Sequence, residues 1–261
     1  MTWYGTATIL LEQEDTRLLF DPFLSRNDKA YKPFIGDLSA AENILVTHGH
    51  LDHVVDIPTI SAHGNGKVAI YCTKKPAEIL VSKGLSDNRI SVIEPGDVLT
   101  IGSFEVRVRK GKHIDFDKWL LIKTLINPRN LVYRKNLKYM LKESRICDEA
   151  GETVIYDITA LGLNRPATRI LLLGSCNLDE NTEYPKGADL LILPLQGRTD
   201  IARHALSLID YLKPKRVLLD HFDNSFPPVS SYVNPGRFIS LMRAKYPDIQ
   251  VICPQAGEQA V

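Results

Sequence analysis

Short apolar runs rich in β-branched residues alternate along this chain with turn signals, and a few stretches carry helical spacing instead. Residues 2–11 and 17–21 flank a polar segment, 12–16, and read as a hairpin. Residues 44–47 form a short buried strand that ends at a histidine. Past His53, the positions Val54, Val55, Ile57 and Ile60 suit a short helix packed on that strand, and Pro58 argues against a long one. Residues 67–71 read as a strand, and 76–83 as a helix with Pro76 near its start and Gly84 after its end. Strands over 90–93, 98–101 and 104–110 follow, joined by Pro95-Gly96 and Gly102 turns. The second half repeats this grammar. Strands are predicted at 153–158, 169–173, 190–193 and 217–220, and a short last strand holds 251–253. Ile201, Ala205, Leu208, Ile209 and Leu212 form a helical stripe over 200–212, and 234–245 is a final helix. Each half is strand-rich first, which predicts two packed sheets with helices outside them. With no fixed short repeat and no low-complexity linker, one domain over residues 1–261 is expected.

Composition adds two constraints. The chain has 261 residues, 44% hydrophobic, enough to bury a sizeable core, and its net charge of +1 predicts no particular partner. The charge is unevenly placed, however. Residues 118–145 hold eight basic side chains and one acidic, a local +7 that leaves −6 elsewhere. Leu120, Leu121, Ile122, Leu137, Tyr139, Met140 and Leu141 make this stretch apolar in places, and Asn127-Pro128 breaks it. It reads as an inserted arm at about 115–150 with amphipathic helical pieces. Such an arm suits a solvated or homo-oligomer contact, a lid that gathers anionic substrates, or a surface for acidic lipid or nucleic acid. Cys72, Cys147, Cys176 and Cys253 form no C-x-x-C pair, and the N-terminus lacks a signal-peptide pattern. No run approaches a transmembrane span. A soluble, reducing, cytoplasmic protein with free thiols is expected.

The candidate chemistry lies in Thr47-His48-Gly49-His50-Leu51-Asp52-His53. Imidazole and carboxylate are ligands that zinc and similar divalent ions accept. His48 and His50, two apart at a strand end, can face one ion, and Asp52 and His53 in the following turn a second. No phosphate-binding glycine loop and no G-x-S-x-G nucleophile motif occurs, so a covalent serine mechanism has little support.

H-x-H-x-D-H after a short apolar strand resembles the signature of the metallo-β-lactamase superfamily, and other landmarks of that family match one by one. Leu18-Leu19-Phe20-Asp21-Pro22 looks like its early strand ending in aspartate. His113 stands where a third histidine is expected, and His221 where a last one closes the site. The stretch from Ala188 to Pro194 and the surroundings of His221 look closest to the ascorbate-phosphate lactonase-like branch. The resemblance implies an α+β, four-layer αββα sandwich. It implies metal ligands His48, His50, Asp52, His53, His113 and His221, with Zn2+ first and Mn2+ or iron as alternatives, as one ion or two. One departure stands out: the family's bridging aspartate falls at Leu173-Gly174-Ser175-Cys176, where Ser175 replaces it and Cys176 or Asp179 could substitute.

A divalent ion lowers the pKa of water towards ~7 at such sites. Asp52 is the candidate to orient or deprotonate that water, and Asp21 the candidate to fix a histidine tautomer. The expected activity is hydrolysis of an ester, lactone or phosphoester of a small, anionic substrate. A phosphodiesterase acting on phospholipid or nucleotide and a metal-bearing binding protein are the rivals. His63 reads as a surface residue, Asp223 as a turn residue and Asp200 as a helix N-cap, while Arg198 and His204 could border the cleft.

Overall fold

A computed structural model describes residues 1–64, 67–143, 147, 150–162 and 166–261. Two sheets are laid down in chain order, each beginning antiparallel and continuing parallel. The first contains β1 (Thr2–Trp3), β2 (Ile9–Gln13), β3 (Thr16–Phe20), β4 (Asn43–Leu45), β5 (Ala69–Cys72) and β6 (Ile90–Val92). Its β1–β3 pair antiparallel and its β3–β6 parallel. The second contains β7 (Val98–Ile101), β8 (Phe104–Lys110), β9 (Val154–Ala160), β10 (Thr168–Leu173), β11 (Leu190–Pro194), β12 (Arg216–Asp220) and β13 (Gln250–Ile252). Here β7–β10 are antiparallel and β10–β13 parallel. Tight turns close the antiparallel pairs β2–β3 and β7–β8, with Glu14 and Gly102 at positive φ. Parallel neighbours need a crossover, which is where the helices go.

The first sheet is crossed by α1 (Ile35–Ser39), α2 (Leu51–Val54), α3 (Ile57–His63) and α4 (Lys74–Ser82). The arm carries α5 (Lys118–Leu125) and α6 (Arg134–Glu143), and the second sheet is crossed by α7 (Ile201–Leu212) and α8 (Gly236–Lys245). Strand alternation sorts the side chains into two cores. Ile9, Leu11, Leu18, Phe20 and Leu45 point from the first sheet into the core shared with the second. Leu10, Leu19, Ile44 and Ile70 point the other way, among Leu38, Val54, Ile57, Ile60 and Leu80 of the covering helices. The resulting α+β sandwich is the fold class expected.

Two of these expectations change. Residues 2–11 are two strands, because Gly5 and Thr6 both take positive φ and turn the chain between β1 and β2. The helix past His53 is short as expected: α3 has seven residues, and Pro58 occupies its second position, where it removes no intrahelical bond. Asp52 and His53 lie in the helix α2 and not in a turn. The arm is an excursion between β8 and β9, strands that pair along their whole length, so it leaves the sheet intact. Residues 144–146 and 148–149 of the arm lie outside the described residues.

Candidate metal centre

The site lies where the carboxyl ends of β3, β4, β10 and β12 meet the loop after β8, the edge at which open α/β sheets place their ligands. The two sheets touch there. Thr47 O accepts from Val154 N at 2.9 Å, and Val46 O accepts from the Tyr156 hydroxyl at 2.7 Å. Only glycine fits at 174: a Cβ there would stand 2.5 Å from Thr47 Cβ and 2.6 Å from Val154 O.

Two sets of donors converge on this edge. Ligand atoms of His48, His50 and His113 lie within 4.8 Å of one another, and so do those of Asp52, His53 and His221. His48 Nε2 and His50 Nδ1 are 3.2 Å apart. Asp52 Oδ2 stands 3.2 Å from His221 Nε2, and its Oδ1 3.8 Å from His53 Nε2. The six residues expected as ligands are brought together in these two groups, with His48 and His50 in one and Asp52 and His53 in the other.

Three of the five rings are aimed from behind. His113 Nδ1 sits 2.9 Å from Ile114 O, which turns its Nε2 inward. Asp21 is buried at the end of β3 and takes a positive φ there. Its carboxylate accepts from Thr47 N at 2.8 Å, Thr47 Oγ1 at 2.6 Å and His53 Nδ1 at 2.9 Å. Thr47 Oγ1 also meets His48 Nδ1 at 2.9 Å, so one aspartate and one threonine orient a histidine from each set. His221 has positive φ as well, fixed by its N–H donating to Thr6 O at 2.8 Å. Uncommon backbone conformations at two site residues are a pattern typical of functional sites.

Electrostatics separates the two sets. Burial, reinforced by the neighbouring imidazoles, pushes His48 well below the ordinary histidine value, His50 to about 4, and His113 down. These rings are neutral, with lone pairs free to bind a cation. Burial alone would also lower His53 and His221. The carboxylates of Asp21 and Asp52 reverse this for His53, and Asp52 raises His221 to about 9. Burial would raise Asp52, but His53 and His221 hold its carboxyl far below the usual range. His221 Nδ1 and Asp220 Oδ1 are buried without a hydrogen-bond partner. Clustered neutral imidazoles beside an ionised carboxylate suit a divalent cation, so the donor set fits the metal the sequence implied.

Ser175 does not replace the missing carboxylate as a charge. It lines the cavity, and its Oγ accepts from Ile114 N at 3.0 Å, which pins the loop carrying His113. Cys176 also lines the cavity, but burial raises its thiol far above the ordinary range. Asp179 is absent from the lining and is taken by Thr182 Oγ1 at 2.9 Å and Lys110 Nζ at 3.4 Å. The cavity holds about 390 Å3 above the histidines, walled by Leu51, Ile114, Phe116, Met140, Phe226 and Val229.

The remaining candidates fall away from the cavity. His63 is exposed, with Nδ1 3.2 Å from Ser39 Oγ. His204 Nε2 meets Cys176 O at 2.7 Å, and Arg198 pairs with Asp200 at 2.7 Å; neither lines the cavity, although Gln196 and Gly197 do. Asp200 stands at the N-cap of α7, but its carboxylate is engaged by Arg198 and makes no capping hydrogen bond. Asp223 holds the turn at Thr6 through Thr6 N at 3.0 Å. Sequence reasoning missed Thr47, whose only signal was its place before His48. It also missed Asp56, which accepts from Leu24 N at 2.7 Å and pairs with Arg26 at 2.6 Å.

Comparison with known proteins agrees with this geometry. Residues 1–221 match the family model of the beta-lactamase superfamily domain. A metal-dependent hydrolase of Archaeoglobus fulgidus is 26% identical over 99% of this chain and 96% of its own length. A metal-dependent hydrolase of Rhizobium etli is 33% identical over 43% of this chain, and that match spans only 47% of the relative. In fold, the chain is similar to an isothiocyanate hydrolase from Delia radicum gut bacteria, with TM-score 0.62 and 16% identity over 98% of this chain and 97% of that one. The chain belongs to the beta-lactamase superfamily.

Proposed function

We propose that this chain hydrolyses an ester, lactone or phosphoester of a small anionic substrate. His48, His50 and His113 would hold one divalent cation, zinc by the nature of the ligands, and Asp52, His53 and His221 could hold a second. The observation that carries this reading is the convergence of both donor sets on the floor of one cavity. A divalent ion in such a site polarises the scissile carbonyl or phosphoryl group and lowers the pKa of water towards ~7. Asp52, ionised and facing the cavity, accepts a hydrogen bond from the attacking water and orients it. Asp21 stays behind the site, holding His53 in the tautomer that presents Nε2. The apolar wall excludes bulk water, and the net positive charge of the arm would steer anionic substrates towards the chain at long range.

Elemental analysis of protein purified without chelator tests the assignment, with His48→Ala and Ser175→Asp alongside. With Ser175 in place of a bridging carboxylate, one tightly held ion per chain is expected. A second should be gained in Ser175→Asp, and the first lost in His48→Ala together with turnover of aryl ester, lactone and phosphodiester probes. Absence of any tightly bound divalent ion, or turnover unchanged in His48→Ala, overturns the reading.

A further inference from the structure

The arm between β8 and β9 holds the largest group of exposed apolar side chains among the described residues, and Trp119, Ile122, Ile126, Leu131 and Val132 lie outside the lining of the hydrolytic cavity. On α5, Trp119, Ile122 and Ile126 follow the i, i+3, i+7 spacing of one helical face, and all three are exposed. Leu131 and Val132, in the link to α6, are 78% and 74% exposed. On α6, Arg134, Lys135, Lys138 and Lys142 are exposed, and none forms an ion pair among the described residues. The opposite side of α6 is anchored. Tyr139 packs on Phe226, Asn136 Nδ2 donates to Pro227 O at 2.7 Å, and Glu143 pairs with Lys83. The basic side is thereby held outward. The base of the arm is fixed too: Asp117 caps α5 through Leu120 N at 2.7 Å and accepts from Thr199 Oγ1 at 2.8 Å.

We propose that this arm is a docking surface for an anionic lipid bilayer, with Trp119, Ile122, Ile126, Leu131 and Val132 entering the interface and the α6 cations meeting the headgroups. Exposed apolar side chains and exposed cations on one arm match the composition of interfacial helices, whose affinity sums apolar burial and attraction to anionic lipid. Charge selects among the possible occupants. Two copies of the arm facing each other would bring together +7 and +7, whereas an acidic bilayer attracts each cation. Nucleic acid would satisfy the cations but leaves Ile122, Ile126, Leu131 and Val132 without an apolar partner. Phe116 and Met140, at the two ends of the arm, line the cavity. Docking would therefore bring the mouth of the site to the membrane surface.

The chain supplies its own reporter, because its two tryptophans are Trp119, 69% exposed, and Trp3, 2% exposed. Vesicles of phosphatidylcholine containing one-third phosphatidylglycerol should shift the emission to the blue and co-sediment the protein. Pure phosphatidylcholine vesicles should do so far less, and high salt should weaken the effect. Partitioning should fall about fivefold per charge in Lys135→Ala, Lys138→Ala and Lys142→Ala, and roughly tenfold in Trp119→Ala/Ile122→Ala. These sites are exposed, and an unchanged melting curve would show that each variant folds. His48→Ala should bind vesicles as the parent does, so loss of hydrolysis and loss of docking are separable. Equal binding to neutral vesicles, no binding to either, or binding that ignores the arm substitutions overturns the proposal. Self-association removed by the arm substitutions would assign the surface to a second copy, and RNA binding without vesicle binding would assign it to nucleic acid; either result overturns it as well.

Discussion

Asp21→Asn isolates the group that aims the metal site without touching the cavity. The side chain is 1% exposed and accepts three hydrogen bonds, two of them on Oδ2, from Thr47 Oγ1 at 2.6 Å and His53 Nδ1 at 2.9 Å. Asparagine keeps the shape and can still accept from Thr47 N through Oδ1. It places an N–H where Oδ2 received two donors, so those two contacts become repulsive or must rearrange. A charge-assisted bond contributes about 1.5–3 kcal/mol where a neutral one contributes about 1 kcal/mol. Two lost charge-assisted bonds therefore predict a destabilisation of about 3–6 kcal/mol. His53 would relax by moving its proton to Nε2, which aims a donor at the place a cation must occupy. Loss of such a supporting partner typically lowers metal affinity 10–100-fold, which is the range expected here. Thermal unfolding with and without chelator measures the first quantity, and competition with a chromophoric chelator the second. Asp157→Asn is the control, since Asp157 is equally buried but pairs with Arg109 at 2.7 Å and Arg169 at 2.8 Å, away from the site. Zinc affinity in Asp21→Asn within twofold of the parent, despite a comparable fall in melting temperature, would refute the reasoning.

Two further substitutions test the scaffold. Asp157→Ala should cost about 2 kcal/mol, below the roughly 3–5 kcal/mol for breaking a fully buried pair, because both arginines are partly exposed and can rehydrate. Burial opposes the ionisation of Asp157, but the two guanidiniums outweigh it and lower its pKa in the folded state. The stabilisation should be complete above the unfolded pKa of about 3.9 and vanish as pH falls through the folded value. Urea titrations of parent and variant should thus converge only at acid pH, and a gap that is constant with pH would contradict this. Gly174→Ala should destabilise by about 3 kcal/mol, through overpacking against Thr47 and the Val154 carbonyl. Weaker metal retention should accompany it as Thr47 is displaced, and a melting curve like that of the parent would show that the sheets do not close there as described.

What could be read from the chain was local. The strand before His48 and the i, i+2 spacing of His48 and His50 fix which way these rings leave the sheet edge. The pairing of Asp52 with His53 follows from their adjacency in the next element. Alternation in β3 puts Leu18 and Phe20 on one face and Leu19 on the other, as the fixed two-residue period of a strand requires. The early break at Gly5-Thr6 was invisible because nothing in an apolar run announces a positive φ at Thr6. Composition alone left the arm with several occupants; the burial of Tyr139 against Phe226 determined which side faces out. The long-range groups of the site depended on the fold. His113, Ser175 and His221 are far apart in sequence, and their meeting depends on two sheets closing where Gly174 lies against Thr47. Residue types and spacing determined the ligands this protein could offer, because coordination chemistry is a property of side chains. Tertiary structure alone decided which set His113 and His221 each join, which nitrogen His113 presents and that Ser175 serves a backbone amide, because those depend on distances no linear pattern encodes.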